Sequence, residues 1–133
     1  MENPFISNYL ANMEALAINN NSALGLSKLT VYSGIQPLNA NTSISGCIPL
    51  IDFNLPDASS NVVTASGTII FGLISPSVAY ASGNASFFRI TNGVNTILDG
   101  NVGTTDTDMI LPTVTIGSGI IMNINSYVYT ITK

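Results

Sequence analysis

The spacing of turn signals limits this chain more than any other feature. From residue 27 to Lys133, Gly, Pro or Asn-Gly punctuation recurs about every eight to twelve residues, the rhythm of an antiparallel sandwich or barrel. Leu29, Val31 and Tyr32 lie in a short strand that ends at Ser33-Gly34, ahead of Pro37. A second strand runs from Cys47 to Phe53 and closes at Pro56-Asp57. Pro49 has no N–H to give a ladder, so this strand belongs at a sheet edge or is irregular. Val62 to Ala65 and Thr68 to Ile74 form two arms around Ser66-Gly67, closed by Pro76. Ala85 to Thr91 and Val94 to Leu98 flank Asn92-Gly93, the dipeptide best suited to a tight hairpin turn. Two further strands, Met109 to Ile116 and Gly119 to Thr132, join around Gly117-Ser118. In the last one the apolar parity switches near Asn125-Ser126: Ile120, Met122 and Ile124 precede the switch, and Tyr127, Tyr129 and Ile131 follow it. A bulge or a crossing between two sheets accounts for such a switch. The expectation is a mainly β chain: an antiparallel β-sandwich or jelly-roll-like domain of about eight strands.

Only the first segment has helical spacing. Asn3 suits the cap position and Pro4 the first helical position, and Phe5, Tyr9, Leu10, Met13, Leu16 and Ala17 fall on one face before Asn19-Asn20-Asn21. A helix this short is unstable alone and must dock on its own domain or on a neighbour. The expected organisation is an N-terminal helical arm over residues 1–26 and a β-sandwich domain over residues 27–133. Phe5, Tyr9, Met13 and Leu16 are the candidate docking residues.

Charge decides which functions remain. Only 8% of residues are charged against 46% hydrophobic, and the formal net charge is −4. An ordinary soluble domain carries about 25% charged residues. Asn, Ser and Thr, about a third of the chain, replace them here. Lys28, Arg89 and Lys133 are the only basic residues, too few to neutralise a run of phosphates, so no nucleic-acid partner is expected. The lack of His removes the commonest general base, the Ser-His-Asp triad and His-ligated zinc. Met1-Glu2-Asn3-Pro4 has no basic, apolar leader character, and no apolar run approaches the roughly 18 residues that a membrane span needs. No membrane partner is expected, and synthesis is expected in a cytoplasm.

The remaining polar constellations read as structural. Cys47, the single cysteine, lies in an apolar run and reads as a small buried hydrophobe. Asp99-Gly100-Asn101 and Asp106-Thr107-Asp108 face each other across a Gly103-Thr104-Thr105 turn. Their spacing does not match a calcium-binding EF-hand loop, so they read as a loop bonding its own backbone. Asp52, between Ile51 and Phe53, comes nearest to a perturbed carboxylate, and an outward-facing strand position is the simpler reading. Arg89, inside Phe87-Phe88-Arg89-Ile90, is expected to pair with Asp99 or Asp52. Phe87 and Phe88 point to opposite sides of their strand, so one needs a cover other than the core. Tyr127 and Tyr129 share one face of the last strand and are the candidate surface-recognition residues. No catalytic residue, metal site or cofactor is expected.

The order of these features resembles a group of small tailed-bacteriophage structural proteins. The resemblance is carried by the N-terminal helix and by Leu29-Thr30-Val31-Tyr32-Ser33-Gly34 running into Gln36-Pro37. It continues through the hairpin Ala85-Ser86-Phe87-Phe88-Arg89-Ile90-Thr91-Asn92-Gly93, then Leu98-Asp99-Gly100-Asn101-Val102-Gly103, Asp108-Met109-Ile110-Leu111 and a Ser/Thr-rich last strand. It implies a non-enzymatic β-rich virion component, located in the virion. The partners it implies are copies of itself and other virion proteins, such as the major capsid protein or tail components. The leading expectation is a capsid decoration or cement protein, and the alternative is a tail- or fibre-associated adhesin that binds host-surface glycan.

Overall fold

Alternation of side chains along the first strand decides which way the sheet faces. In β1 (Lys28–Ser33), Leu29 and Val31 are fully buried while Lys28 is exposed and Thr30 and Tyr32 are half-buried. The computed structural model describes residues 7, 13–17, 27–55, 62–64, 67–71, 74–93, 95–124 and 126–130, with backbone alone at Val62 and at 126–130. β2 (Ile48–Asn54) pairs antiparallel with β1, and the register slips between Val31↔Ile51 and Tyr32↔Pro49. Leu50 is the extra residue, and the slip lets Leu50 and Ile51, although consecutive, both be buried. Of the two placements Pro49 allows, β2 shows both: it lies at the sheet edge, and its register slips beside the proline.

On the other side of β1 lies β7 (Phe87–Thr91), followed by β8 (Thr96–Gly103) across the Asn92-Gly93 turn. All four residues from Phe87 to Ile90 are buried, so this central strand is covered on both faces. Phe88 and Ile90 join the core with Leu29, Val31, Ile51 and Phe53. The sheet continues through β9 (Met109–Ile110), β12 (Ser126–Thr130), β4 (Thr68–Ile70) and β3 (Val62–Val63), in the order β2-β1-β7-β8-β9-β12-β4-β3. Ile69, near the far end of that order, belongs to the same core cluster as Phe53 in the β2 edge, so the sheet curls around one core. Two small ladders complete the described strands: β5 (Ser77–Val78) with β11 (Ile121–Met122), and β6 (Gly83–Asn84) with β10 (Thr115–Ile116).

The protein is therefore mainly β, with a short N-terminal helix at residues 13–17 (α1). The strand boundaries differ from the sequence expectation in informative ways. The expected strand from Met109 to Ile116 is split into β9 and β10, with the break at Leu111-Pro112-Thr113, where proline cannot donate to a ladder. The expected last strand is split into β11 and β12 at the parity switch. The halves pair with different partners, β11 with β5 and β12 with β9 and β4, so the chain does cross between sheets there. The strands number twelve among the described residues, eight of them in the main sheet, because these two breaks and the short β5 and β6 add elements. Among the described strands the pairing is antiparallel except between β8 and β9, which run parallel across a five-residue loop. That connection is far shorter than an ordinary crossover and supports a contact of only two register pairs.

One glycine is fixed by packing. Gly100 in β8 stands opposite Phe88 in β7, and a Cβ there would lie 2.5 Å from two atoms of the Phe88 ring. The ring occupies the space a side chain would need, which is how a glycine is tolerated in mid-strand.

Candidate functional site

Residues that alternate with the core positions of β2, β1, β7 and β8 meet on the opposite face of the sheet. The register Asp52↔Thr30↔Arg89↔Asp99 places four polar residues in one cross-strand row, and Pro49↔Tyr32↔Phe87↔Asn101 forms the next. This face holds the richest set of interacting polar side chains among the described residues.

Arg89 and Asp99 are its buried centre. Arg89 Nε donates to Asp99 Oδ1 at 2.6 Å and Nη2 donates to Oδ2 at 2.8 Å, a two-point fit of guanidinium to carboxylate. The two side chains are only 8% and 5% exposed. The loop between β1 and β2 contributes to this environment, with the Asn39 carbonyl accepting from Arg89 Nη2 at 3.4 Å. The Asp99 hydrogen bonds hold the guanidinium pKa above its ordinary value, against the opposing effect of burial. Of the two partners expected for Arg89, Asp99 is the one it takes. Beside this pair the Tyr32 ring stacks on Phe87, with centroids 5.1 Å apart and planes 10° from parallel. Tyr32 thus helps cover the phenylalanine that points away from the core. Burial, more than any neighbour, raises the Tyr32 phenol pKa.

Asp52 anchors the more open end. Its Oδ1 accepts from Thr30 Oγ1 at 2.7 Å and from the Tyr80 hydroxyl at 3.1 Å, and Lys28 Nζ lies 3.6 Å from Oδ2. Tyr80 is brought there by its own backbone, which donates to the Leu50 carbonyl on the free edge of β2. Partial burial, then the adjacent Asp52 charge and hydrogen bond, push the Tyr80 phenol up to about 12. Asp52 is thus the half-buried, outward-facing strand residue expected, with two side-chain hydroxyl donors and one ion pair from the chain itself.

The arrangement binds itself. A paired-carboxylate hydrolase needs two acids facing a shared substrate space. Here Asp99 is closed off against Arg89, and Asp52 is held by Thr30, Tyr80 and Lys28. The acidic loop behaves in the same way. Asn101 N donates to Asp108 Oδ2 at 3.0 Å, Asp108 N donates to Asn101 Oδ1 at 2.8 Å, and Thr107 Oγ1 donates to the Met109 carbonyl at 2.8 Å. These bonds staple the short β8–β9 connection, while Asp99 turns away to Arg89. Among the described residues no three His, Cys, Asp or Glu side chains gather as a metal site would require. Cys47 is half-buried rather than buried, because its thiol faces loop backbone and donates to the Ile35 carbonyl at 3.4 Å.

The expected docking stripe is described in part. Phe5 and Tyr9 lie outside the described residues. Met13 and Leu16 are both half-exposed on α1, whereas Ala15 between them is fully buried and belongs to the core cluster. The helix therefore rests on its own domain through Ala15 and turns Met13 and Leu16 outward. Tyr127 and Tyr129 stand in β12 in register with Met109 and Ile69; their side chains lie outside the described residues.

Sequence reasoning singled out neither Tyr80 and Thr30 nor the apolar residues of the β1–β2 loop. Ile35 is 89% exposed and Leu38 98%, flanking Pro37 in a stretch without a charged residue from Leu29 to Ile51. The available signal was composition: isolated large apolar residues between Gly34 and Gly46, in a segment with loop character. Across the β5–β11 ladder, Ile121 is 71% exposed and pairs in register with the exposed Val78. Among the described residues no helix is long and apolar enough to cross a membrane. In comparisons with known proteins, the chain matches no family model, no curated protein and no solved structure.

Proposed function

We propose that this chain is a non-enzymatic structural protein of a tailed-phage virion, a capsid decoration or cement protein that self-associates and docks on the particle. The observation that carries the reading is the nearly complete exposure of Ile35 and Leu38 in an uncharged loop. Burying one such side chain is worth about 1.5–3 kcal/mol, so leaving both in water is a cost that assembly removes. An uncharged surface also joins another without desolvating ions. The outward Met13 and Leu16 of α1 and the Val78–Ile121 pair supply further apolar contact area for neighbouring copies or the major capsid protein. The self-satisfied carboxylates support a role without catalysis.

Sedimentation velocity on the full chain tests self-association. The reading predicts a species at a multiple of 13.9 kDa that shifts towards monomer in Ile35→Ser/Leu38→Ser, with the thermal midpoint unchanged. A wild-type chain that stays monomeric at high concentration contradicts it.

Tyr80 favours a second reading, a tail- or fibre-associated adhesin binding host-surface glycan. Its ring is half-exposed and its hydroxyl is fixed by Asp52, which suits stacking on a sugar face. Retention on host envelope glycan that Tyr80→Ala abolishes would establish it, and no retention by the wild type would reject it.

A further inference from the structure

We propose that Asn92 is a site of spontaneous covalent modification, converting through a cyclic imide to aspartate and isoaspartate, and that the β7–β8 turn favours the conversion. The only co-reactant is water. In the first step the Gly93 backbone nitrogen forms a bond to Asn92 Cγ and the Cγ–Nδ2 bond breaks. The proton lost from the Gly93 nitrogen leaves with the side-chain amide as ammonia. Water then opens the ring at either carbonyl and leaves a carboxylate, with the chain running through the α-carbonyl (aspartate) or the β-carbonyl (isoaspartate).

The turn favours the ring-closing step. Of sixteen asparagines in the chain, Asn92 alone is followed by glycine, so only there does no Cβ crowd the attacking nitrogen. Gly93 is exposed, with φ at +93°, and its N–H donates to no group among the described residues. Asn92 Oδ1 accepts the Asn95 backbone N–H at 2.9 Å, while the Asn92 N–H donates to the Asn95 carbonyl at 3.0 Å. Negative charge develops on Oδ1 as the nitrogen adds to Cγ, and a fixed donor already points at that oxygen. Two other asparagines isolate the contribution of glycine. Asn39 Oδ1 accepts the Asn41 N–H at 2.9 Å and Asn101 Oδ1 accepts the Asp108 N–H at 2.8 Å, yet Ala40 and Val102 follow them. They have the donor without the unhindered nucleophile.

The product carries one more negative charge than the formal −4 of the chain. It replaces the Asn92 amide of the hairpin turn by a carboxylate, and the isoaspartate form also lengthens the backbone between β7 and β8.

The test is to age the full folded chain at mildly alkaline pH, follow its charge by isoelectric focusing, and locate converted residues by peptide mapping with isoaspartate detection. Asn92 is expected to convert first, at a rate at least about ten-fold above Asn39 and Asn101, a difference of about 1.4 kcal/mol in barrier. Asn92 remaining an amide while other asparagines convert would overturn the assignment. A parallel sample aged in urea separates the turn from the dipeptide. Asn92 is expected to convert faster in the folded chain, where the Asn95 N–H is held on its Oδ1, than in urea, and an equal or slower rate in the folded chain would refute the role given to the turn.

Discussion

Asp99→Ala leaves the Arg89 guanidinium in a site where only 8% of its side chain meets solvent, without the carboxylate that takes two of its hydrogen bonds. Breaking a buried pair from one side costs about 3–5 kcal/mol, because the remaining ion keeps its desolvation penalty and loses its partner. The Asn39 carbonyl at 3.4 Å is a weak and uncharged substitute. At about 2.1 cal/mol/K per residue, a chain of this length unfolds with an entropy of about 0.28 kcal/mol/K, so the midpoint should fall by about 11–18 °C. The assay is thermal unfolding followed by circular dichroism, together with urea titration at neutral pH to obtain the free energy directly. A double replacement, Arg89→Met/Asp99→Leu, separates the worth of the pair from the penalty of an orphaned charge. It should recover most of the loss and lie within about 1–2 kcal/mol of the wild type, since a hydrophobic pair of similar volume needs no ionic partner. A loss below about 1 kcal/mol for Asp99→Ala would mean that the pair behaves as an exposed one, and the claim that it is the buried centre of this face would fail.

Other consequences follow from single contacts. Gly100→Ala drives a methyl group to within 2.5 Å of the fully buried Phe88 ring and should cost about 3 kcal/mol, measured by urea unfolding. Gly117→Ala is its control: the nearest atom stands at 3.6 Å, and the substitution should be neutral or stabilise by about 0.4–1 kcal/mol. Because the folded-state pKa of Tyr80 is raised, folding holds its proton more tightly, so this stabilisation is complete below pH 10 and is lost as pH rises from 10 towards about 12. Its half-exposed ring limits the effect to no more than about 1 kcal/mol after solvent screening, and Tyr80→Phe should flatten that part of a stability-against-pH curve. On α1, Leu16→Ser should leave the thermal midpoint unmoved and weaken self-association in sedimentation, whereas Ala15→Asp, which buries an unpaired charge, should destabilise the fold itself.

The strand content and the Asn92-Gly93 hairpin were legible because they depend on neighbours in sequence. A parity switch near Asn125 likewise marked the place of the break but left a bulge and a sheet crossing both open, and the different partners of β11 and β12 decide for the crossing. The polar face was legible only in pieces. Arg89 stood out as the one cation in a strong strand, yet the choice between Asp99 and Asp52 depends on which strands neighbour β7. Thr30 and Tyr80 became part of the Asp52 cluster only through the β1–β2 register and the contact of residue 80 with the β2 edge. The helix shows the same limit. Spacing marked Met13 and Leu16 as one apolar stripe, and the packing of Ala15 decides that this stripe faces away from the core. The parallel β8–β9 pair had no sequence signal of its own, since five residues are ordinarily a hairpin connection and the Asn101–Asp108 staple is what bends this one otherwise.

The central claim is that the chain is an assembled component of a phage particle, and counting it there is the most direct test. Quantitative mass spectrometry of purified particles whose genome encodes this sequence should find the chain retained through density-gradient purification, in many copies relative to the major capsid protein. Particles that lack the chain, with all of it recovered in the soluble fraction of the lysate, would contradict the account.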